Sequence, residues 1–424
     1  MASGRQTASG VVQHDGTLTV NEFARKTAFR YDSKGIQQPF SIIDLDVVKR
    51  QLDIWRRALP SVKPYYAVKC NPDLNILRTL SAHGACFDCA SLEEMRLVLS
   101  HGFATSADIV LAHPVKSEQC IHFALEHGIT AMTLDSVEEL RKIAEITTDA
   151  KLILRIKVTG FDSLVDLNKK FGADEMTSKL ILHEAAKLGV KIHGISFHIG
   201  SGVENCHPMA ASLKSARKLM DYGQLLGHPI STLDIGGGFM PTTLQKFMKV
   251  GHFIENTLSS CFDGVPLTVI AEPGRFFVTD AQYVVTSISQ VIQKSLNADL
   301  PTSYNVFIND GVYGTFNFVL TEQRKVEGAP LLKRDGFMRA DIWGPTCCSF
   351  DLIETDRRIS TVEIGDWMIY PQCGAYSTCL STHFNGFAPP TIFYLISANN
   401  WMTITNTSRE KEVESTSYTI SSKI

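Results

Sequence analysis

The chain has 424 residues, 44% of them hydrophobic and 20% charged, with a formal net charge of −3. That length allows two domains, or one barrel with an appended domain, and the balance is that of an ordinary globular protein. The composition excludes a basic nucleic-acid binder, and no apolar run is long enough to span a bilayer. The start, Met1-Ala2-Ser3-Gly4-Arg5, leads into polar sequence and predicts no secretory signal. Ten cysteines are scattered, with only Cys347 and Cys348 adjacent. Their spacing predicts reduced thiols in the cytoplasm, with no disulfide framework and no metal site.

Residues 1–36 are polar, with one strand-like alternation at Leu18-Thr19-Val20, and are expected to contribute to a β domain elsewhere in the fold. Pro39-Phe40-Ser41-Ile42-Ile43-Asp44 then opens a rhythm of short apolar strand and amphipathic helix. Helical spacing covers 47–59, 75–83 and 92–101, and strands are predicted at 63–68, 85–87, 109–111, 131–133 and 152–156. Further strands at 194–198, 232–235 and 267–271 complete a series that fits a parallel (β/α)8 barrel, for which about 250 residues is typical. After Gly274 the rhythm changes to strands with turns, at 278–290, 306–308, 341–343, 367–370 and 391–394. The expected class is therefore α/β, with a barrel over 37–272 and an antiparallel β domain over 273–404. Residues 405–424, rich in Ser, Thr, Glu and Lys, read as a mobile tail.

Four features stand at the predicted carboxyl ends of barrel strands, where a barrel keeps its chemistry. Lys69 ends the apolar run Pro64-Tyr65-Tyr66-Ala67-Val68. An isolated lysine there is more often a surface residue, and the other three features decide against that. His198, in Phe197-His198-Ile199-Gly200-Ser201-Gly202, offers a flat ring that stacks on an aromatic cofactor. Gly236-Gly237-Gly238 lets backbone N–H groups converge on an anion, although a glycine run alone is often only a tight turn. Glu272-Pro273-Gly274-Arg275 brings a carboxylate and a guanidinium together, one suited to a pyridinium nitrogen and the other to a phosphate. Together these describe a site for pyridoxal 5'-phosphate, which acts as an electron sink for a carbanion at the substrate's α-carbon.

These motifs, with Asn309-Asp310-Gly311-Val312-Tyr313-Gly314, Trp343-Gly344-Pro345-Thr346-Cys347 and Gly374-Ala375-Tyr376, resemble the eukaryotic ornithine decarboxylase family from about residue 17 to about 400. The resemblance implies an alanine-racemase-like barrel with a β domain, working as a homodimer with shared active sites. It implies that Lys69 is the Schiff-base lysine, His198 stacks on the ring, and Glu272 meets the ring nitrogen. Ser201, Gly238, Gly274, Arg275 and Tyr376 fall to the phosphate region, with Asp88, Glu94 and Arg155 in support. Cys347 would be the proton donor, supplied by the partner subunit. Lys170 and Asp351 match a pair that bridges the subunits. Residues 117–141 match the stretch through which relatives bind antizyme.

The departures from the family cluster at the substrate pocket, expected to include Tyr313, Glu322, Cys348 and Phe384. Ornithine-specific members carry Cys-Asp-Gly-Leu-Asp where this chain reads Cys347-Cys348-Ser349-Phe350-Asp351. They carry Leu-Tyr-Asp-His where it reads Leu320-Thr321-Glu322-Gln323. A thiol in place of a carboxylate makes the pocket less polar, so the leading expectation is a neutral aliphatic substrate, as in the leucine-decarboxylating relatives that form isopentylamine. The alternatives are a basic amino acid held by Glu322, a glutamate that arginine decarboxylases of this fold also carry, and a non-catalytic regulator like the antizyme inhibitors. A racemase is disfavoured, since that reaction needs a base on each face of the cofactor.

Overall fold

Seven short apolar strands, each followed by a helix of 9–19 residues, and one closing strand build the first of two compact units, Lys49–Phe277. The protein is seen in a computed structural model that describes residues 5–6, 10–158, 169–200, 207–295 and 302–405. The eight strands are Val62–Ala67, Cys86–Cys89, Ile109–Leu111, Ala131–Leu134, Lys151–Ile156, Ile192–Phe197, Thr232–Asp234 and Thr268–Ala271. They pair in parallel and in chain order, and the ring closes where Val269 stands opposite Val62. Tyr65, Cys86, Val110, Ile153 and Ile270 pack together as a buried cluster. Helix starts are fixed locally: Asp73, Ser91, Ser117, Ser136, Asp174 and Thr243 each accept a hydrogen bond from the first turn.

Around the barrel's closing strands lies an aromatic cluster. Buried Trp55 donates Nε1–H to the Val62 carbonyl at 2.9 Å and meets Phe239, Phe247, Phe276 and Phe277 with centroids 4.8–6.0 Å apart. Each such pair contributes about 0.5–1.5 kcal/mol beyond its buried area.

The second unit comprises Met1–Val48 and Val278–Thr403. Its ten-stranded sheet runs in the order Arg5–Gln6, Val11–His14, Thr391–Ser397, Phe40–Asp44, Gln282–Gln293, Tyr304–Ile308, Phe337–Trp343 and Leu352–Ser360, with Trp367–Tyr370 and Ala329–Pro330 branching from it. The helix Val20–Asp32 lays Phe23, Ala24, Ala28 and Tyr31 in one core with Phe40, Ile42, Val285, Trp367 and Phe393.

Several expectations need correction. Phe40–Asp44 is no barrel strand; it pairs with Gln282–Gln293 and Thr391–Ser397 in the second unit. Leu18-Thr19-Val20 is a helix start: Thr19 and Glu22 form a reciprocal capping box. The β domain is mixed rather than antiparallel, because Thr391–Ser397 runs parallel to both Val11–His14 and Phe40–Asp44, and Tyr304–Ile308 parallel to Phe337–Trp343. Parallel neighbours need long connections, and these segments are separated by the barrel sequence or by the 309–336 excursion. The strand Leu352–Ser360 went unread, since Glu354-Thr355-Asp356-Arg357-Arg358 masks its alternation. The tail beyond 405 lies outside the described residues.

One close approach in the barrel unit tests this packing. A Cβ at Gly251, on the helix Leu244–Cys261, would stand 2.1 Å from the Ala58 carbonyl oxygen. Gly251→Val is expected to destabilise the protein by about 1–3 kcal/mol, read as a lower urea midpoint; an unchanged midpoint would contradict the packing.

Candidate active site

Lys69 follows the first barrel strand on a three-residue 3-10 turn, Val68–Cys70, and its Nζ contacts Asp88 on the next strand. Asp88 is fully buried while the lysine side chain stays 41% exposed at the mouth. Glu94 reaches back from the helix Leu92–Ser100 to accept the Ala90 amide at 2.6 Å. Arg155 lies on the fifth strand, His198 just beyond the sixth, Asp234 at the end of the seventh, and Glu272 just beyond the eighth. All therefore collect at the carboxyl ends of the strands, where the sequence placed the site. Asp88 is no helix cap; Ser91 caps that helix by accepting from the Glu94 amide at 3.2 Å.

The electrostatics of this mouth are unusual. Burial pushes the Asp88 carboxyl up to about 7 against the pull of Lys69. Burial, and then the neighbouring Asp234 carboxyl, push Glu272 up to about 8, and burial raises Asp234 to about 6. After burial, the Asp234 carboxyl is the neighbour that acts most to keep Glu272 protonated. Burial also raises Glu94. His198 is driven the other way, to about 3, by burial and then by the charges of Arg155 and Lys69. Its Nδ1 accepts the Gly200 amide at 3.0 Å, so the neutral ring carries its proton on Nε2.

Next to these groups is a glycine floor. A Cβ on Gly237 would fall 2.9 Å from His198 Nε2 and 2.7 Å from the Glu272 carbonyl oxygen. Gly236 has φ +66° and its amide donates to Asp234 Oδ1 at 2.8 Å. Gly238 has φ +97°, and the following helix begins only at Leu244. Gly274 is packed against Cys70, and Arg275 opens the short helix Arg275–Val278. Asp88 Oδ1 and Asp234 Oδ2 are buried with no hydrogen-bond donor on them. Buried acids with open acceptor positions, a flat neutral imidazole and a floor without side chains fit pyridoxal phosphate. Ser201 lies outside the described residues.

The remaining predicted residues belong to the β unit. Cys347 is the one exposed thiol among the nine described free cysteines. Its amide donates to Asn385 Oδ1 at 3.0 Å. Tyr313 OH and Cys348 Sγ are 3.0 Å apart, and the Tyr313 ring packs on Phe384 with centroids 4.7 Å apart. Glu322, half-buried, closes the short helix Asn317–Thr321. Arg324 places its guanidinium 3.7 Å above the Phe318 ring. Tyr376 is half-buried, with a left-handed backbone at φ +51°. Cys70, Cys86 and Cys120 are buried free thiols.

Sequence reasoning missed Asp234. Its signal was available, since an acid ending a barrel strand immediately before a glycine run sits among the other site residues, but it was read only as part of the strand.

Residues 45–279 match the pyridoxal binding domain of the pyridoxal-dependent decarboxylases. An ornithine decarboxylase of Caenorhabditis elegans is 36% identical over 395 residues, covering 90% of this chain and 93% of the relative. Among solved structures, the arginine decarboxylase of Paramecium bursaria Chlorella virus bound to agmatine superposes with a TM-score of 0.83 at 31% identity, covering 88% of this chain and 100% of that one. A lysine/ornithine decarboxylase of Vibrio vulnificus complexed with cadaverine gives 0.79 at 28% identity, over 88% and 97%.

The raised carboxyls give a pH test on cofactor-free protein. The folded chain retains protons that the unfolded chain has released, on Asp88 up to about pH 7 and on Glu272 up to about pH 8. Stability therefore falls as the pH rises through that window. His198 acts in the opposite sense only below its ordinary value of 6.5. Thermal melts should show a falling midpoint from pH 6.5 to 8.5, with a shallower fall in Glu272→Gln. Equal slopes in the two proteins would contradict the assignment.

Proposed function

The chain belongs to the pyridoxal-dependent decarboxylases of the ornithine decarboxylase family, and we propose that it decarboxylates a basic L-amino acid: ornithine, lysine or arginine. It is an amino acid carboxy-lyase whose cofactor is pyridoxal 5'-phosphate. The observation that carries the basic substrate is Glu322, a half-buried carboxylate in the stretch where the ornithine-specific relatives place an acid. The relatives by sequence and structure act, by their names, on ornithine, arginine or lysine. A carboxylate pairs with an ammonium or, in two-pronged fashion, with a guanidinium.

In this reading Lys69 Nζ would hold the cofactor, with Asp88 as the partner of that amine. Neutral His198 would stack on the cofactor ring, and Glu272 would serve as the acid partner of the ring nitrogen. Gly238, Gly274, Arg275 and Ser201 would serve the phosphate, with Glu94 and Arg155 steadying the mouth. The bound cofactor supplies the electron sink that makes loss of carbon dioxide feasible. Cys347 Sγ then donates the proton that takes the place of carbon dioxide on the substrate's α-carbon. We propose that this thiol serves the barrel of a second subunit in a homodimer. Exposed Phe350, Phe384 and Phe387 in the same unit suit such an interface.

One observation favours the neutral substrate expected from the sequence. Cys348 meets a phenol rather than a cation, and with Tyr313 and Phe384 it makes a wall of thiol and aromatic surface. The relatives give leucine no support, so it stands second.

Amine formation from leucine, ornithine, lysine and arginine, offered separately, decides between the two. Putrescine, cadaverine or agmatine is expected, with Glu322→Gln costing about 2–5 kcal/mol in kcat/KM for the basic substrate. Cys348→Asp should raise kcat/KM for ornithine by about tenfold or more by restoring a second counter-charge. Isopentylamine as the main product, insensitive to Glu322→Gln, would reverse the assignment.

A further inference from the structure

We infer that Asp351 is the positioning residue of the Cys347 loop, setting the proton-donor thiol and the Tyr313–Cys348 wall in fixed relation to each other. This rests on the decarboxylase reading above and adds a residue to it. Family resemblance assigns Asp351 to an ion pair with Lys170 of a second subunit, yet its carboxylate is committed inside its own unit. Asp351 is 1% exposed. Oδ1 accepts the Val312 amide at 2.8 Å, while Oδ2 accepts the Thr346 amide at 2.9 Å and the Thr346 hydroxyl at 2.6 Å.

Those donors come from the two segments that matter. Val312 precedes Tyr313, and Thr346 precedes Cys347 and Cys348. Backbone bonds close the same loop: the Gly344 amide donates to the Asp351 carbonyl at 2.8 Å, and the Asp351 amide to the Cys348 carbonyl at 3.1 Å. The carboxylate is also wedged sterically, since a Cβ on Gly311 or Gly344 would stand 2.2 Å from Oδ1. Outside the loop, Asn385, at φ +55°, receives the Cys347 amide. Cys347 is thus held on one side by Asp351 through Thr346 and on the other by Asn385. Cys348 then meets Tyr313, whose neighbour Val312 donates its amide to the same carboxylate.

A buried carboxylate accepting three N–H or O–H donors is a strong, directional anchor, and removing one acceptor leaves a donor facing a donor. Asp351→Asn does that at either Val312 or Thr346. Thr346→Val removes only the hydroxyl, at constant volume, and serves if the first variant does not fold. The readouts are the alkylation rate of Cys347, followed by peptide mass mapping, the split between kcat and KM, and the assembly state by sedimentation.

Asp351→Asn is expected to lower kcat by about tenfold or more, and Thr346→Val by about threefold. The Cys347 alkylation rate should change by about threefold in both, with assembly and cofactor absorbance as in the unaltered protein. Lys170→Ala should leave that alkylation rate unchanged. An unchanged alkylation rate in Thr346→Val overturns the inference. So does a Lys170→Ala variant that reproduces the Asp351→Asn defect together with dissociation of the assembly, which would return Asp351 to an intersubunit pair. If the unaltered protein releases no amine from any amino acid, the decarboxylase reading fails separately, and the alkylation rates still decide the role of Asp351.

Discussion

Burial of acids at the barrel mouth, relieved by too few cations, is the constraint on which the site depends. Asp88, Asp234 and Glu272 stand together with Lys69 and Arg155 as the basic groups that act on them. A carboxylate withdrawn from water is costly unless paired or protonated. Asp88 takes Lys69, and Glu272, raised by burial and by the Asp234 carboxyl, keeps its proton up to about pH 8. The mouth consequently holds one exposed amine on a buried anion and a protonated acid where a basic ring nitrogen would be received. Neutral His198, fixed in one tautomer by Gly200, adds a flat uncharged surface. The fold supplies this arrangement by delivering each group from a different strand end.

The β unit solves a different problem, placing an exposed thiol on a surface loop. Loops are mobile unless anchored. Here one buried carboxylate, Asp351, accepts the Thr346 amide, and one left-handed asparagine, Asn385, accepts the amide of Cys347 itself. The wall formed by Tyr313, Cys348 and Phe384 is tied to the same anchor. Glu322 stands on a separate short helix. Glu322 and Cys348 thus lie in the β unit, apart in sequence from the barrel residues that gather at the strand ends.

Much of this was legible in the sequence. The eight barrel strands announced themselves through apolar runs alternating with amphipathic helical spacing, and Lys69, His198, Gly236-Gly237-Gly238 and Glu272 could be placed at strand ends by that rhythm. Phe40–Asp44 misled because a buried strand looks the same whether it joins a barrel or a mixed sheet. Its partners, Gln282–Gln293 and Thr391–Ser397, are hundreds of residues away, and local pattern carries no such information. Asp234 and Asp351 were hidden for another reason. Their roles lie in what a buried carboxyl accepts from backbone amides, and a sequence does not display which amides turn inward.

The central claim is that Lys69, seated on buried Asp88, is the residue that holds the cofactor. Borohydride reduction of the cofactor-loaded protein, followed by digestion and mass spectrometry, tests it directly. The account predicts a pyridoxyl adduct on the peptide containing Lys69. An adduct confined to any other lysine, or none from protein that retains its cofactor absorbance, would contradict it.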